Sequence, residues 1–320
     1  MSVIFQGCIK ASSVAFKSAH DMISIVSPTP DLIVSSSIMR LSGQSLDKTI
    51  FLNLFMEKYN IPGFEYLSPK DHHRLSFYGT SMSSALKGIK RGKPLFIGQK
   101  EGQGIYVMNP LQESSSLNIT PIVDPPPFVE ITEHHEIPTE NPNVIVPLTS
   151  LKDTFGLLAK GGRSSIRTGK ITMFEKGMMS LIVGSDKRTK AGNSWGTVVT
   201  PGTAASGAVA SRTFKLEEIH IKLLSKMSTI MNDGQARVYY DIESKTPTSL
   251  RFEVALPIGT WVVHFIEKAT AAEGLEGPEA LEGPEASGPE APDGPEGQEG
   301  QEEESADGDD RSVSDDSECQ

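Results

Sequence analysis

Four stretches of the chain repeat apolar residues every three or four positions, which is the spacing of an amphipathic helix. In the first stretch, Phe16, Ala19 and Ile23 fall on one helical face, and in the third Leu151 and Phe155 do the same. Polar residues occupy the opposite faces. The predicted helices span 12–26, 79–92, 148–162 and 215–227.

Runs rich in Val, Ile, Phe and Tyr follow each predicted helix. Many of them alternate apolar and polar residues, as half-buried strands do. The pattern is therefore helix, strands, helix, strands, and it occurs twice. The predicted strand regions are 31–43, 48–60, 93–99, 104–110, 167–177, 179–188, 234–244, 249–257 and 260–268.

The two halves of this pattern have the same spacing. The predicted helices begin 67 residues apart in each half, at positions 12 and 79 and at positions 148 and 215. An internal repeat of this size indicates two like domains rather than one large domain. We therefore predict an α+β fold with one domain over 1–110 and a second over 143–268.

Two segments lack this pattern. The stretch 111–142 contains three successive prolines at 125–127. Because proline fixes φ and removes a backbone donor, we expect an extended interdomain connector there. The stretch 269–320 contains LEGPEA twice, at 275–280 and 281–286. Its high charge and few apolar residues predict a disordered acidic tail rich in Gly, Pro and Glu.

The net charge of the chain is unevenly divided between these regions. The net charge of −11 argues against a nucleic-acid partner. However, residues 271–320 contain 18 acidic residues and one basic residue, Arg311, so the tail carries −17 and the remaining residues carry +6. A positive body favours an anionic partner such as DNA.

Cysteine usage and hydropathy exclude several classes of protein. Cys8 and Cys319 lie near opposite ends, so there is no disulfide framework and no zinc-ligand spacing, which is typical of an intracellular protein. No stretch reaches the roughly 18 apolar residues of a membrane span. The first residues also lack the pattern of a signal peptide. We expect no membrane association.

Candidate catalytic and metal-binding motifs are weak. The run EHHE at 133–136 contains possible metal ligands, but adjacent side chains of an extended chain point to opposite sides. Ser84 and Lys87 match an S-x-x-K pair without its companion motifs. No nucleophile, base and orienting group occur together. We therefore expect no enzymatic activity, no cofactor and no metal.

Basic residues lie on the polar faces of the predicted helices. Lys87, Lys90 and Arg91 share one face of the second helix, and Lys222 and Lys226 share one face of the fourth. Contact with phosphates without base readout needs only such charges, and the absence of aromatic side chains on these faces favours duplex DNA. The candidate DNA-binding residues are Lys17, Lys87, Lys90, Arg91, Lys152, Lys160, Arg163, Lys215, Lys222 and Lys226.

The order and spacing of these elements resemble the DNA sliding clamps of eukaryotes and viruses, the proliferating cell nuclear antigen (PCNA) family. The resemblance covers nearly all of 10–268, and it comes from order and spacing rather than from an invariant signature. Its local basis is the opening helix followed by DLIVSSSIMRLSG (31–43), then RLSFYGTSMSSALKGIKRGKPLFI (74–97), SRTFKLEEIHIKLLSKM (211–227) and SLRFEVALPIGTWVVHFI (249–266).

The resemblance implies a ring of subunits, each with two similar clamp domains. Antiparallel sheets would lie outside, and two short helices per domain would line a central hole. Double-stranded DNA would pass through this hole independently of sequence. DNA polymerase and other replication proteins would bind the outer face through short peptides. The family's commonest plan is a homotrimer, acting in the nucleus or, as the repeated acidic tail suggests, at a viral replication site.

Family members bind partner peptides in an apolar groove between the connector and the end of the second domain. The family usually has a small residue and then proline after its last strand, whereas Ile266 and Glu267 stand at those positions here. The detailed shape of the groove is therefore expected to differ. The matching partner-binding positions are Leu41, Ile122, Val123, Phe128, His264 and Ile266.

A second class of protein agrees with the same sequence. A checkpoint-clamp subunit, or a processivity factor of the herpesvirus type, would hold DNA by charge as a monomer or dimer without closing a ring. Oligomeric state separates the two classes. The sequence leaves both open, because an interface between strand edges has no distinctive pattern.

Overall fold

The computed structural model describes residues 2–9, 13–87, 93–108, 118–123, 141–159, 168–175, 177–184, 190–196, 210–230, 233–242 and 248–268. The chain divides into two units, Met1–Ala271 and Ala272–Gln320. All described residues belong to the first unit. The segment predicted to be a disordered tail, 269–320, lies outside the described residues.

The first half of the chain follows the order strand, helix, strands, helix, strands. Its elements are β1 (Val3–Ile9), α1 (Ser13–Val26), β2 (Asp31–Ser35), β3 (Ile38–Gln44), β4 (Ile50–Glu57), a 3-10 turn (Lys58–Asn60), β5 (Glu65–Tyr66), β6 (His72–Phe77), α2 (Gly79–Leu86), β7 (Leu95–Lys100), β8 (Ile105–Met108), β9 (Asn118–Thr120) and β10 (Ile122–Val123).

The second half repeats that order. Its elements are β11 (Val144–Pro147), α3 (Leu148–Ala159), β12 (Thr168–Phe174), β13 (Met178–Gly184), β14 (Lys190–Gly196), β15 (Ser211–Leu216), α4 (Glu218–Met227), β16 (Gln235–Tyr240), β17 (Ser249–Leu256) and β18 (Gly259–Ile266). When β5 and β10 are set aside, the halves match element for element. This confirms the predicted α+β class and its twofold pattern, while the domain boundaries at 110 and 143 remain predictions.

The strands form three sheets in which every described pair is antiparallel. A five-stranded sheet has the order β5-β1-β7-β8-β9, and a four-stranded sheet has the order β14-β13-β12-β15. The third sheet has nine strands, in the order β10-β6-β2-β3-β4-β18-β17-β16-β11. It combines one sheet from each half, and the two parts meet where β4 pairs with β18.

The β4–β18 junction is built from buried apolar side chains. Trp261 lies opposite Leu54 and Val263 lies opposite Leu52, and all four are at most 1% exposed. At the turn into β18, Gly259 has a φ of +144°, and an added Cβ would overlap the carbonyl oxygen of Phe55. Only glycine allows this backbone conformation and this close approach of β4.

Each half packs its two helices together and against a sheet. Helix α1 contacts α2, and α3 contacts α4. Helix α1 lies close to β3 at Gly43. A Cβ added to Gly43 would come within 2.5 Å of the Cγ2 methyl group of Ile23. Within the described part of the chain, no helix is long and apolar enough to cross a membrane.

The structure differs from the sequence predictions in three respects. Helix α4 begins at Glu218 rather than 215, because 211–216 is strand β15. The predicted connector, 111–142, contains β9 and β10, so part of it belongs to the sheets. Strands β1, β5, β6, β11, β14 and β15 were not predicted, and β11 is only four residues long.

Candidate functional site

Helix α4 has the clearest basic face. Its buried side includes His220, Leu223 and Leu224. On the other side Lys222 and Lys226 are exposed, one turn apart. The main-chain N–H of Glu217 donates to the Nδ1 of His220 over 3.0 Å, as half of a reciprocal N-terminal cap. The lysines are therefore presented by a helix whose start is fixed.

One described lysine lies on or directly beside each of the other three helices. Lys87 is exposed directly after α2, Lys152 is exposed on α3, and Lys17 is half-buried on α1. Acidic residues share the outer faces of three helices, with Asp21 on α1, Asp153 on α3 and Glu218 on α4. The basic character of the described helices is therefore shared by all four, but it is not uniform.

One predicted DNA-binding residue lies on a strand rather than a helix, and four are not among the described residues. Lys215 lies on β15, directly opposite Lys170 of β12, so the prediction that it belongs to the fourth helix is wrong. The alternation of strand side chains places it on the sheet face opposite the core residue Phe214. Four further residues fall outside the described residues, namely Lys90, Arg91, Lys160 and Arg163.

The described helix surfaces carry exposed positive charge. Lysine side chains can contact phosphates without reading the bases. Within the described helices no exposed residue is aromatic, although Tyr78, directly before α2, is 51% exposed. The described surface can therefore supply charge for contacts with phosphates.

Three of the predicted partner-binding residues are buried. Leu41 is 0% exposed on β3, so it is a core residue rather than a surface contact. His264 and Ile266 on β18 are 3% and 6% exposed. The His264 ring forms a hydrogen bond with the Ser249 hydroxyl and packs 6.3 Å from the ring of Phe51. These side chains hold β18 in place.

The described residues do not bring the predicted partner positions together. Ile122, which is 38% exposed, and Val123 form β10 at one end of the nine-stranded sheet. Ile266 lies on β18, five strands away, which corresponds to roughly 24 Å at about 4.8 Å per strand. Phe128 lies outside the described residues.

The sequence reasoning missed an exposed leucine beside the end of β18. Leu46 lies in the turn between β3 and β4 and is 92% exposed. Within this turn the Ser45 hydroxyl donates to Asp47 over 2.6 Å. The main-chain N–H of Ile266 donates to the carbonyl of Thr49 over 2.8 Å, so the turn is fixed to β18. The sequence signal that could have indicated this exposed residue is a leucine between two polar residues, Ser45 and Asp47.

An ion pair strengthens the same connection. The Lys268 Nζ lies 3.0 Å from the Asp47 carboxylate, and this hydrogen bond raises the pKa of the lysine. Partial burial disfavours ionisation of Asp47, but hydrogen bonds from Ser45, Thr49 and Lys268 outweigh it and hold its pKa well below the ordinary value. Both charges therefore persist over the whole physiological pH range.

Comparison with solved structures identifies the architecture. The PCNA of Entamoeba histolytica matches with a TM-score of 0.57 and 13% identity, over 83% of this chain and 98% of that chain. The fold is that of PCNA. The PCNA2–PCNA3 complex of Sulfolobus tokodaii matches with a TM-score of 0.60 and 15% identity, over 82% and 98% of the two chains. Thermococcus kodakaraensis PCNA gives 0.57 and 12%, over 82% and 99%.

The similarity to PCNA lies in the fold and not in the sequence. No protein-family model matches the chain. A search of curated protein sequences also finds no match. The PCNA fold nevertheless accounts for the repeated order of elements and for the sheet that continues from one half into the other.

Two strands at the edges of their sheets, β14 and β9, have no described neighbour on one side. They correspond to β4 and β18, which pair with each other. The first half's fourth strand, β4, pairs with the second half's last strand, β18. The corresponding strands of the opposite halves are β14 and β9, and each ends its sheet. In β14 the main-chain N–H of Ser194 donates to its neighbour Asn193 over 2.8 Å and not to β13, so it lies on the open side.

Proposed function

We propose that this protein is a DNA polymerase processivity factor, a sliding clamp that closes into a ring around duplex DNA. One observation carries the proposal: the β4–β18 junction inside the chain has an unfilled equivalent at β14 and β9. Pairing β14 of one subunit with β9 of the next would repeat that junction between chains. Such a head-to-tail contact forms a ring when its rotation closes.

The expected ring is a homotrimer. Three subunits with two like halves each would give six similar units around the hole. The likeness to PCNA structures supports this plan, and one of them is described as a complex of two PCNA chains. A clamp-fold factor that does not close a ring would share the helix surface and leave the β14 edge unpaired.

The helices are proposed to face the DNA. Lys17, Lys87, Lys152, Lys222 and Lys226 would contact phosphates of either strand without reading bases. The remaining predicted contacts, which lie outside the described residues, are proposed to extend this surface: Lys90, Arg91, Lys160 and Arg163. A protein with this role acts by tethering rather than by chemistry, at replication sites in a nucleus or a virus-infected cell.

Replication proteins are proposed to bind near the end of β18. Leu46 offers an exposed apolar side chain there, on a turn that is fixed to the strand. Short peptides from a DNA polymerase and other replication proteins would insert an apolar residue beside it. Ile122, Val123 and Phe128 remain proposed partner contacts, but Ile122 and Val123 lie on β10, at a separate place on the nine-stranded sheet.

The DNA-facing role can be tested by reversing charge on α4. Changing Lys222→Glu together with Lys226→Glu should weaken binding to duplexes of every sequence and shorten the products of processive synthesis. Each lost phosphate contact should lower the slope of log K against log salt by about 0.9. The matched control is Lys70→Glu with Lys100→Glu, two exposed lysines outside the helices.

The outcomes show whether the α4 lysines contact DNA and whether the subunits close a ring. Equal loss of binding in the test and control variants would mean that only total charge matters and would remove the helices from the DNA path. No loss in the α4 variant would do the same. Light scattering then decides the ring, because a monomeric mass at micromolar concentration would favour the factor that does not close a ring.

A further inference from the structure

Strand β15 ends the four-stranded sheet, whereas its equivalent in the first half, β6, does not end its sheet. Each of these strands precedes the second helix of its half, and each pairs with the strand that follows the first helix, β2 or β12. On its other side β6 pairs with the short strand β10. Within the described residues, no strand lies on the corresponding side of β15.

The outer edge of β15 has main-chain groups that can bind an added strand. The main-chain N–H of Glu175 donates to the carbonyl of Ala210 over 3.1 Å, in register with the β12–β15 pairs. Hydrogen-bonded and non-hydrogen-bonded pairs alternate along an antiparallel ladder. The N–H and C=O groups of Ser211, Thr213 and Lys215 therefore point away from β12.

Strand β6 has the same geometry and shows how such an edge is used. The main-chain N–H of Phe77 donates to the carbonyl of Pro30 over 3.1 Å, which directs the main-chain groups of Ser76 away from β2. Ser76 pairs there with Val123 of β10. Because Ser76 and Lys215 both stand two residues before the N-cap of the following helix, Lys215 marks the position of the equivalent pair.

Charge indicates what kind of strand fits this edge. Lys215 lies directly opposite Lys170 of β12, and both are exposed. Like charges at opposite positions of a sheet destabilise the pair. None of the ion pairs found in the described residues includes either lysine, and the neighbouring carboxylate of Glu217 already lies 3.7 Å from the Nζ of Lys268. The edge therefore favours a strand that carries carboxylates.

The surface beside the edge leaves room for such side chains. Lys170 and Lys215 border a shallow pocket of about 340 Å³ on the outer face of the sheet, with Ile182 of β13 beside them. Strands in a sheet lie about 4.8 Å apart, so a glutamate opposite Lys215 would be roughly 10 Å from the backbone of Lys170. A glutamate and a lysine side chain together span this distance.

We propose that β15 binds an extended acidic peptide of a partner protein as an added antiparallel strand. A carboxylate would lie opposite Lys215, and the residue before it would lie opposite Leu216. In the first half the position equivalent to that preceding residue is held by Ile122, opposite Phe77. The expected recognition feature is therefore an apolar residue followed directly by an acidic one. The main-chain bonds supply affinity, and the two lysines select for acid.

A synthetic peptide that alternates valine and glutamate over about eight residues tests this. Its binding to the full chain is measured by fluorescence anisotropy at low salt, and binding should weaken as salt is added. In the proposed pairing the glutamate N–H groups face β15 and the valine N–H groups face away. N-methylation of the glutamates should weaken binding about tenfold, because it removes bonds to β15. N-methylation of the valines is the matched control and should have little effect.

Variants of the protein assign the binding to this edge. Thr213→Pro removes one outward N–H without removing a bond to β12 and should abolish binding, whereas Thr213→Ala should keep it. Lys170→Gln with Lys215→Gln should weaken binding roughly fivefold. Lys222→Gln with Lys226→Gln on α4 removes the same charge and should leave binding intact.

Three results would overturn the proposal. The first is equal weakening by the two N-methylated peptides, which would mean that the peptide does not join the sheet. The second is loss of binding in the α4 variant and not in the β15 variants. The third is an unmodified protein that does not bind the peptide, whether a second copy or the chain itself covers β15.

Discussion

The β4–β18 junction and the open edge of β14 occupy equivalent places in the two halves, and their residues differ. Strand β4 has the sequence IFLNLFME and buries five of its eight side chains. Strand β14 has the sequence KAGNSWG, and Trp195 is its one buried side chain among those described. The same position in the fold is therefore apolar where it pairs within the chain and mostly small and polar where the strand ends its sheet.

This difference suits β4 to folding of the chain and β14 to the proposed pairing between subunits. A long apolar edge would pair with any exposed strand and cause aggregation, whereas a polar edge rich in small residues pairs weakly until a fitting partner arrives. The β4–β18 junction is part of the core and is broken only by unfolding. In the proposed ring, the β14 edge would pair and separate while each subunit stays folded.

The largest effect is expected from breaking the junction inside the chain. Gly259→Ala would place a methyl group against the Phe55 carbonyl at a backbone φ of +144°. We expect a loss of about 3 kcal/mol in the free energy of unfolding, measured by urea denaturation. Gly102→Ala is the control, because Gly102 also has a positive φ but faces open space, and it should cost only about 1 kcal/mol.

A smaller and more selective effect is expected at the open edge. Ser194→Pro removes the N–H on the open side of β14 and should leave the β13 pairing unchanged. The ring should separate into monomers in light scattering, while the unfolding free energy of the monomer stays within about 0.5 kcal/mol. Ser194→Ala keeps the N–H and should keep the ring. A persistent trimer in the proline variant would place the subunit interface on another edge.

The helices were predictable because their signal is local. The pattern of Phe16, Ala19 and Ile23 marked 12–26, and α1 spans Ser13–Val26. The start of α4 was misplaced because Lys215 and Leu216 continue a plausible helical spacing, although they belong to β15. The strand β14 was missed because KAGNSWG has no apolar alternation, which is the same property that makes it an open edge.

The candidate sites were less predictable because they depend on pairing between distant residues. Leu41 and Leu46 lie five positions apart, yet one is 0% and the other 92% exposed. Strand alternation buries Leu41, and the turn between β3 and β4 exposes Leu46. The resemblance to the clamp family had favoured Leu41 as the partner contact. The β4–β18 pairing joins residues more than 200 positions apart, and no local pattern encodes it.

The smallest expected effect is a change in stability with pH. It should affect the β4–β18 junction and not the β14 edge. At the junction, Phe265 of β18 packs against the His220 ring with their centroids 4.7 Å apart. Burial lowers the pKa of His220 from 6.5, against the opposing charges of Glu217 and Asp47. The unfolded chain therefore binds more protons than the folded chain below pH 6.5, so stability is lost as the pH falls from 6.5 towards the folded-state pKa.

Acidification should therefore weaken the folded subunit without opening the ring. The described part of the edge, β14 with its neighbour β13, contains no histidine or carboxylate, so the mass in light scattering should stay constant from pH 7.5 to about 5.5, the range in which an ordinary histidine titrates. Urea unfolding over the same range should show a falling free energy. His220→Gln should reduce that slope, but not abolish it, because burial also lowers the pKa of His20. A ring that dissociates before the subunit loses stability would show that assembly, too, depends on a titrating group.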